Sequence, residues 1–459
     1  MENFFKLKEN GTDVKKEVIA GITTFLAMAY IIAVNPDILS VTGMNKGALL
    51  TATCLAAGLT TILMGLYANL PFALASGMGL NAFFAFSVVK GMGIDWKVAL
   101  TAVFVEGIIF IILSLTNVRE AVVNSIPHTL KLAVTAGIGL FIALIGFVGA
   151  GIVVKNDATL VGMGHFTSPT VITALVGIVV IVVLSKKNVK GALLWGIVAS
   201  TLLAWAYALK NPQFAAETYK IYLPNGVFKF ESLGDIAFKL DFTYLTDTKN
   251  IGTFISIVLT FLFVDFFDTV GTLVGVASKV GMVDKNGKVK NAGKALLVDA
   301  IGTTGGALLG TSTVTTYVES SAGVAEGGRT GLASVVTGFL FLVAMFFSPL
   351  FIAIPACATA PALIVVGFFM MENVVNIDFA DFTEGVPAFL TIALMPLTYS
   401  IGDGLTMGIL SYAVLNFVNN IFTKDKDKKK KVSIVIYILA VVFLLKLTGL
   451  IEIFLNLIF

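Results

Sequence analysis

Apolar stretches, most of them close to bilayer length, recur along almost the whole chain. A helix needs about 20 mainly apolar residues to cross a bilayer. Fourteen stretches meet or approach that: 17–34, 48–67, 77–90, 96–116, 129–149, 169–184, 190–209, 251–277, 291–310, 317–326, 330–348, 356–372, 384–400 and 404–422. They form two groups of seven, divided by a polar stretch at 210–250. Of the 459 residues 57% are hydrophobic and only 13% charged, about half the charged share of a soluble domain. A soluble fold could not hide that surface. The net charge of +3 supplies no field for a polyanion, so nucleic acid is not an expected partner. Cys54 and Cys357 sit in apolar segments without metal-ligand spacing, so neither a disulfide framework nor a zinc site is expected, and no cofactor. The expected fold is an all-α polytopic membrane protein, with the lipid bilayer as its surroundings.

Lysine and arginine positions agree with this count. With a cytoplasmic N-terminus and fourteen crossings, most of them fall in inside segments, as the positive-inside rule requires. The run KDKDKKKK (424–431) then lies in the cytoplasm. Residues 1–16 are polar and precede no cleavage pattern, so the first span is expected to remain. The last apolar stretch, 432–459, is interrupted by Lys446 and Gly449 and fits a span, a hairpin or an interfacial helix.

Seven spans per half is an odd number. Homologous halves would therefore be inverted relative to each other, as in many secondary transporters. SIPHTLKLAVTAGIGLFIALIGFVGA (125–150) and AIPACATAPALIVVGFFMM (353–371) echo one another at the fifth span of each half. The third spans are both short and interrupted. LPFALASGMGLNAFFAFSVV (70–89) carries Pro71, Gly77 and Gly79, and LLGTSTVTTYVESSAGVAEGG (308–328) opens with a Thr-rich, strand-favouring run. Such segments at matching positions point to a binding site, because irregular backbone at membrane depth is tolerated only when buried or lining a cavity. The pattern predicts two short extended strands, one from each half. They would hydrogen-bond at the midplane and lead into half-helices whose positive ends face the site.

Carboxylates at membrane depth are costly and usually functional. Asp265 and Asp268 are three apart in span 8 and share a helix face. Glu319 opens the short helix of span 10, Asp299 lies in span 9, Glu106 in span 4, and Asn81 is the polar counterpart in span 3. Acids with an amide suit a neutral, planar, hydrogen-bonding solute and would repel an anion. Phe25, Phe83, Phe84 and Phe267 lie nearby in sequence and offer rings for stacking. Clustered carboxylates hold protons more tightly through repulsion and desolvation, as a proton-coupled carrier needs. GKVKNAGKA (287–295) lacks phosphate-loop spacing, GMGLNA lies in no dinucleotide-binding unit, and His128 and His165 are isolated.

Four segments carry a family resemblance: TTFLAMAYIIAVNP (23–36), ASGMGLNAFFAF (75–86), FVDFFDTVGTL (263–273) and GTSTVTTYVESSAGVAEGGRTGL (310–332). They resemble the AzgA-type adenine/guanine/hypoxanthine permeases, a branch of the nucleobase–cation symporter (xanthine/uracil permease) family, over roughly 3–422. The resemblance implies two inverted seven-span repeats and no enzymatic activity. A transport core would comprise 1–127 and 251–349, and a gate that also forms a homodimer would comprise 128–210 and 350–423. Residues 211–250 would be an extracellular loop, and 424–459 a basic linker and C-terminal apolar segment. It further implies import of hypoxanthine, adenine and guanine across the cell membrane by proton symport; the rivals are a same-fold carrier for xanthine, uracil or an anion. Carried onto matching positions, the base-binding residues would be Asp268, Glu319, Asp265 and Asn81, with backbone at Phe25 and Val318 to Ser320. Asp299 resembles a span 9 acid that holds the core together or relays protons. Thr272 stands where some uracil carriers have histidine, which leaves Asp265, Asp268 and Glu319 all open as the proton carrier.

Overall fold

The computed structural model describes residues 2–115, 127–247, 249–279, 291–423 and 429–448. Among side chains, those of Phe267, Asp268 and Lys446 lie outside the described residues, as do 424–428 of the basic run and the 449–459 end of the last apolar stretch.

The first span is broken in two, as α1 (Val14–Met28) and α2 (Ile31–Ser40), with the break at Ala29–Tyr30. α3 (Lys46–Leu63) runs into a wide π turn at Met64–Ala68. Strand β1 (Leu74–Ser76) leads into the short α4 (Met78–Ala82) and a second π segment, Phe83–Gly91. α5 (Trp96–Leu115) and α6 (His128–Ala150) follow, then β2 (Val153–Asn156) and β3 (Leu160–Met163), then α7 (Pro169–Lys186) and α8 (Ala192–Lys210). The second half holds α9 (Ile251–Lys279), α10 (Ala292–Leu309), β4 (Val314–Thr316), α11 (Ser320–Ala325) and α12 (Gly331–Ala344). It closes with α13 (Ala356–Met371), α14 (Phe382–Leu397), α15 (Ile401–Phe422) and α16 (Ile434–Leu447).

Local chemistry sets many of these bounds. Asp13 caps α1 by accepting from the Lys16 amide (2.9 Å), and Asn45 caps α3 through Ala48 (3.1 Å). Gly151 and Gly310, at φ of +76° and +93°, end α6 and α10 in the left-handed region that glycine adopts without strain. Eight helical segments among the described residues are long and apolar enough to cross a membrane, and five shorter apolar helices accompany them.

The packing is two-fold in pattern. α3 packs on α12 as α10 packs on α5; α1 packs on α12 as α9 packs on α5; α7 packs on α8 as α14 packs on α15. Exchanging the halves maps each contact onto its mate. The helices fall into a strand-bearing group (α1–α5, α9–α12) and a flanking group (α6–α8, α13–α15). In each, small residues at seven-residue spacing let two antiparallel backbones touch. A Cβ on Gly65 would lie 2.3 Å from the Gly331 carbonyl, and one on Gly58 2.9 Å from that of Gly338. In the flanking group Gly139 meets Gly367 at 2.7 Å and Gly146 meets Ala360 at 2.9 Å. Without a hydrophobic drive between lipid-facing helices, such close approach is a main source of association.

β1 and β4 pair antiparallel, Leu74 with Thr316, Ala75 with Thr315 and Ser76 with Val314. A two-fold axis thus passes at the Ala75–Thr315 pair, and the equivalent strands run in opposite directions, so the halves are inverted. The sequence pattern places strands only at spans 3 and 10; the β2–β3 hairpin departs from that. Its turn is fixed locally, since Asn156 Oδ1 accepts from the amides of Ala158 (2.9 Å) and Thr159 (3.2 Å) while Leu160 sits at φ +68°.

Polar contacts tie the groups together. Lys46 pairs with Asp37 and donates to the Ile352 carbonyl (3.1 Å), and Thr359 of α13 donates to Asp37 (3.0 Å). Lys430 lies 2.6 Å from Asp381 and 2.7 Å from Glu384. Its hydrogen bond holds the Asp381 carboxyl below the usual carboxylate range. Partial burial pulls Lys430 down, but the bonds to Asp381 and Glu384 outweigh it and raise the ammonium above its ordinary value.

Candidate functional site

The strand pair is built so that its outer edges are also satisfied. The Thr61 hydroxyl of α3 accepts from the Leu74 amide (2.9 Å) and donates to its carbonyl (3.0 Å). Thr303 of α10 serves Val314 in the same way, at 3.2 and 3.0 Å. The pairing extends symmetrically, with the Gly77 amide donating to Thr313 and the Tyr317 amide to Ala73, each at 3.0 Å. The Ala73 amide donates to the Ser320 hydroxyl (3.0 Å), and the Tyr317 hydroxyl donates to the Ser76 carbonyl. Every one of these residues except the threonines of α3 and α10 lies in the two interrupted segments, so the irregular backbone is satisfied by protein rather than water.

This register sets the symmetry mates. Ala75 matches Thr315, so Gly79 matches Glu319 and Asn81 matches Ser321. The reading of Asn81 as the counterpart of Glu319 is therefore two residues out; the strand register, invisible in the sequence, decides it.

Glu319 is half-buried and its Oε1 accepts from the Tyr30 hydroxyl at 2.6 Å. Tyr30 stands at the break between α1 and α2, where the chain leaves the helix beside α11. Val318 is half exposed (51%), whereas the Ser320 hydroxyl is occupied by Ala73. Phe25 packs edge-on against Phe341, with centroids 5.2 Å apart. Asn81 is fully buried, and neither its Oδ1 nor its Nδ2 has a hydrogen-bond partner among the described residues. An orphaned buried amide costs about 1–3 kcal/mol. Phe83 and Phe84 are buried against Phe261, with centroids at 4.9 and 6.5 Å; they fill the interior instead of opening a stacking surface.

Three further acids come together on α5, α9 and α10. Asp299 accepts from Thr269 (2.9 Å) and Thr316 (3.3 Å), and Asp265 accepts from Thr303 (3.4 Å). Glu106 of α5 is fully buried and lies within hydrogen-bonding reach of Asp265, with Asp299 close enough to repel it. The structure thus brings Asp265 together with Asp299 and Glu106, while the described partner of Glu319 is Tyr30. The Asp268 side chain is outside the described residues. Tyr30, Thr269 and Thr303 are not singled out by sequence reasoning. Tyr30 leaves a faint signal, a hydroxyl inside an apolar stretch; the threonines leave none. Among the described residues no cluster of three or more His, Cys, Asp or Glu is arranged to hold a metal ion.

The EGGRTG turn that follows α11 is structural. Arg329 donates to the carbonyls of Val324 (2.6 Å) and Gly328 (2.8 Å), closing α11. Glu17 of α1 receives the amides of Arg329 (2.8 Å) and Ala333 (3.1 Å) at the start of α12. A carboxylate there satisfies orphan donors and the helix dipole together.

Apolar helices in two inverted halves, joined by a strand pair and lined by buried acids, define a polytopic membrane permease. Comparison with known proteins agrees. The Permease family model of xanthine/uracil permeases matches residues 15–407. The guanine/hypoxanthine permease PbuG of Bacillus subtilis is 44% identical, covering 97% of this chain and 99% of its own. The adenine permease AdeP of Escherichia coli K12 is 41% identical, covering 97% and 96%. Among solved structures, the transmembrane domain of the cyanobacterial bicarbonate transporter BicA has the same fold, with a TM-score of 0.65 at 15% identity, over 85% of this chain and 97% of that one. The chain belongs to the xanthine/uracil permease family and is of the AzgA type; it is a permease and not an enzyme.

Proposed function

We propose that the chain imports purine nucleobases (hypoxanthine, adenine or guanine) across the cell membrane together with a proton. One observation carries this reading. The fully buried Asn81 amide, without a described partner, lies in the short helix that follows β1, and the paired strand β4 leads to Glu319. A neutral heterocycle offers ring N–H groups to a carboxylate and ring nitrogens or a carbonyl to an amide. Relatives named for adenine and for guanine and hypoxanthine support the same class of cargo.

In this reading all fourteen apolar stretches span the membrane, the N-terminus is cytoplasmic, and α4 and α11 act as half-helices. The strand-bearing group is the moving core, and the flanking group is the gate and the dimer face. Asp268, Asp265, Phe25 and the backbone from Val318 to Ser320 complete the base site, and Asp265, Asp268, Glu319 and Asp299 are the candidates for the coupled proton. The BicA fold also serves bicarbonate, but Glu106, Asp265, Asp299 and Glu319 give the wrong sign for an anion here.

The test is uptake of radiolabelled hypoxanthine by permease-deficient cells that express the chain. The expected result is saturable accumulation, abolished by a protonophore and competed by unlabelled adenine and guanine. Flux that does not saturate, or competition by bicarbonate and not by purines, overturns the proposal.

A further inference from the structure

Among the acids of α5, α9 and α10, Glu106 has no part in the transport cycle proposed above. Glu106 is fully buried, and its two oxygens find no described hydrogen donor; what lies in reach is the carboxyl of Asp265. Two ionised carboxylates are both acceptors and cannot bond to one another, so a contact between them requires a proton on one. Among the described residues, the other titratable group facing Glu106 is Asp299 on α10, held by Thr269 and Thr316. Within the stretches that form α5 and α10, lysine occurs only near the starts, at Lys97 and Lys294. Those ammonium groups lie over the rings of Trp96 (5.7 Å) and Tyr67 (5.4 Å). The α9 stretch 251–277 has neither lysine nor arginine.

We propose that Glu106 and Asp265 share one proton, and that this pair is a second protonation site coupled to the base site through Thr303 and β4. The route is short. The single Thr303 hydroxyl proton has two acceptors, the Val314 carbonyl at 3.0 Å and Asp265 Oδ2 at 3.4 Å. Loss of the shared proton puts charge on Asp265, and a charged acceptor makes the stronger bond. The hydroxyl then turns from Val314 toward Asp265 and loosens the outer edge of β4, the strand that leads within three residues from Thr316 to Glu319. The carboxyl O–H bond breaks as the proton passes to a water or a neighbouring carboxylate, which forms the new O–H bond; no other covalent bond changes.

The inference deepens the permease reading and rests on it for its coupling role, but the shared proton can be measured without transport. The experiment is infrared spectroscopy of the purified full-length protein in lipid nanodiscs at neutral pH, in H2O and D2O. The wild type is expected to show a protonated-carboxyl C=O band that shifts on deuteration, and Glu106→Gln is expected to remove it. Glu106→Asp is expected to move the band and keep it. Asp265→Asn leaves the buried Glu106 carboxyl protonated without its partner and is expected to move the band, a readout that stands should Glu106→Gln fail to fold. A wild type without the band, or variants that leave it untouched, overturns the proposal. In proteoliposomes, Glu106→Gln is expected to lower proton-driven hypoxanthine accumulation about tenfold while keeping hypoxanthine exchange within about threefold of wild type. A wild type that moves no purine sinks the permease reading and leaves the spectroscopic result standing; unchanged accumulation in Glu106→Gln sinks the coupling role alone.

Discussion

At the turn from β1 into α4 the chain places Gly79, Leu80 and Asn81; at the matching turn from β4 it places Glu319, Ser320 and Ser321. The backbones are equivalent down to the threonine that satisfies each outer strand edge, Thr61 in one half and Thr303 in the other. The side chains are not. A Cβ on Gly79 would come 2.5 Å from Ile138 Cγ2, so the first-half turn is pressed against α6 of the flanking group. The second-half turn is pressed instead against α1, where a Cβ on Gly323 would lie 2.4 Å from the Ala20 carbonyl, and its acid is met by Tyr30. Backbone satisfaction inside a membrane is a demand both halves share, and it keeps the scaffold symmetric. Side-chain chemistry is under no such demand in both halves at once, and there the symmetry is broken.

If the asymmetry is functional, its acid should matter most. Glu319→Gln keeps the size and the Tyr30 contact but cannot release a proton. Hypoxanthine accumulation is expected to fall about a hundredfold, equivalent to about 2.7 kcal/mol, with the thermal midpoint unchanged or higher. Accumulation at the wild-type level would remove Glu319 from the mechanism and reduce the difference between the halves to packing.

Asn81 tests the other half. Asn81→Ala removes an amide that has no described partner, so the ligand-free protein is expected to gain about 1–3 kcal/mol of stability in thermal or denaturant unfolding. The stabilisation conferred by hypoxanthine should shrink with it, with affinity down about thirtyfold, or about 2 kcal/mol. A variant less stable without ligand would show that the amide is already satisfied, and the two halves would then be closer to equivalent.

Tyr30→Phe asks whether the hydroxyl that holds Glu319 is part of the site. A hydrogen bond to a charged group contributes about 1.5–3 kcal/mol, so uptake is expected to drop about tenfold, with most of the loss in KM if Tyr30 only orients the acid. A shift in the pH profile of uptake, compared with wild type, would separate orientation from control of the proton. No change in either quantity would leave the 2.6 Å contact without functional weight.

Much of this arrangement is legible in the sequence. Acids stand out in apolar stretches because lipid tolerates them poorly, which exposes Glu319, Asp265, Asp299 and Glu106 alike. Pro71 and the Thr-rich run at 311–316 betray the strands, since neither suits a helix interior. Which acids meet is not legible. Glu106 and Asp265 belong to different halves of the chain and come together only because α5 packs on both α9 and α10. Matching by polarity pairs Glu319 with Asn81, where strand register governs and pairs it with Gly79. The β2–β3 hairpin escapes notice because two four-residue strands leave too little periodicity, although Asn156 marks the turn.

The smallest expected effect is at Gly79, where the packing against α6 points to a purely steric role. In Gly79→Ala the new methyl group meets Ile138 Cγ2 at 2.5 Å, closer than real contacts allow, so Ile138 or α6 must shift. Overpacking of this kind costs about 1–3 kcal/mol, and the contact joins the strand-bearing group to the flanking group. The variant is therefore expected to lose a few degrees of thermal midpoint and a few-fold in uptake rate, with affinity for hypoxanthine nearly unchanged. Ile138→Ala in the same chain vacates the colliding methyl and should restore both. If affinity falls and the second substitution fails to rescue it, Gly79 gives a ligand access to the backbone, and the first-half turn is then as much a part of the binding site as Glu319.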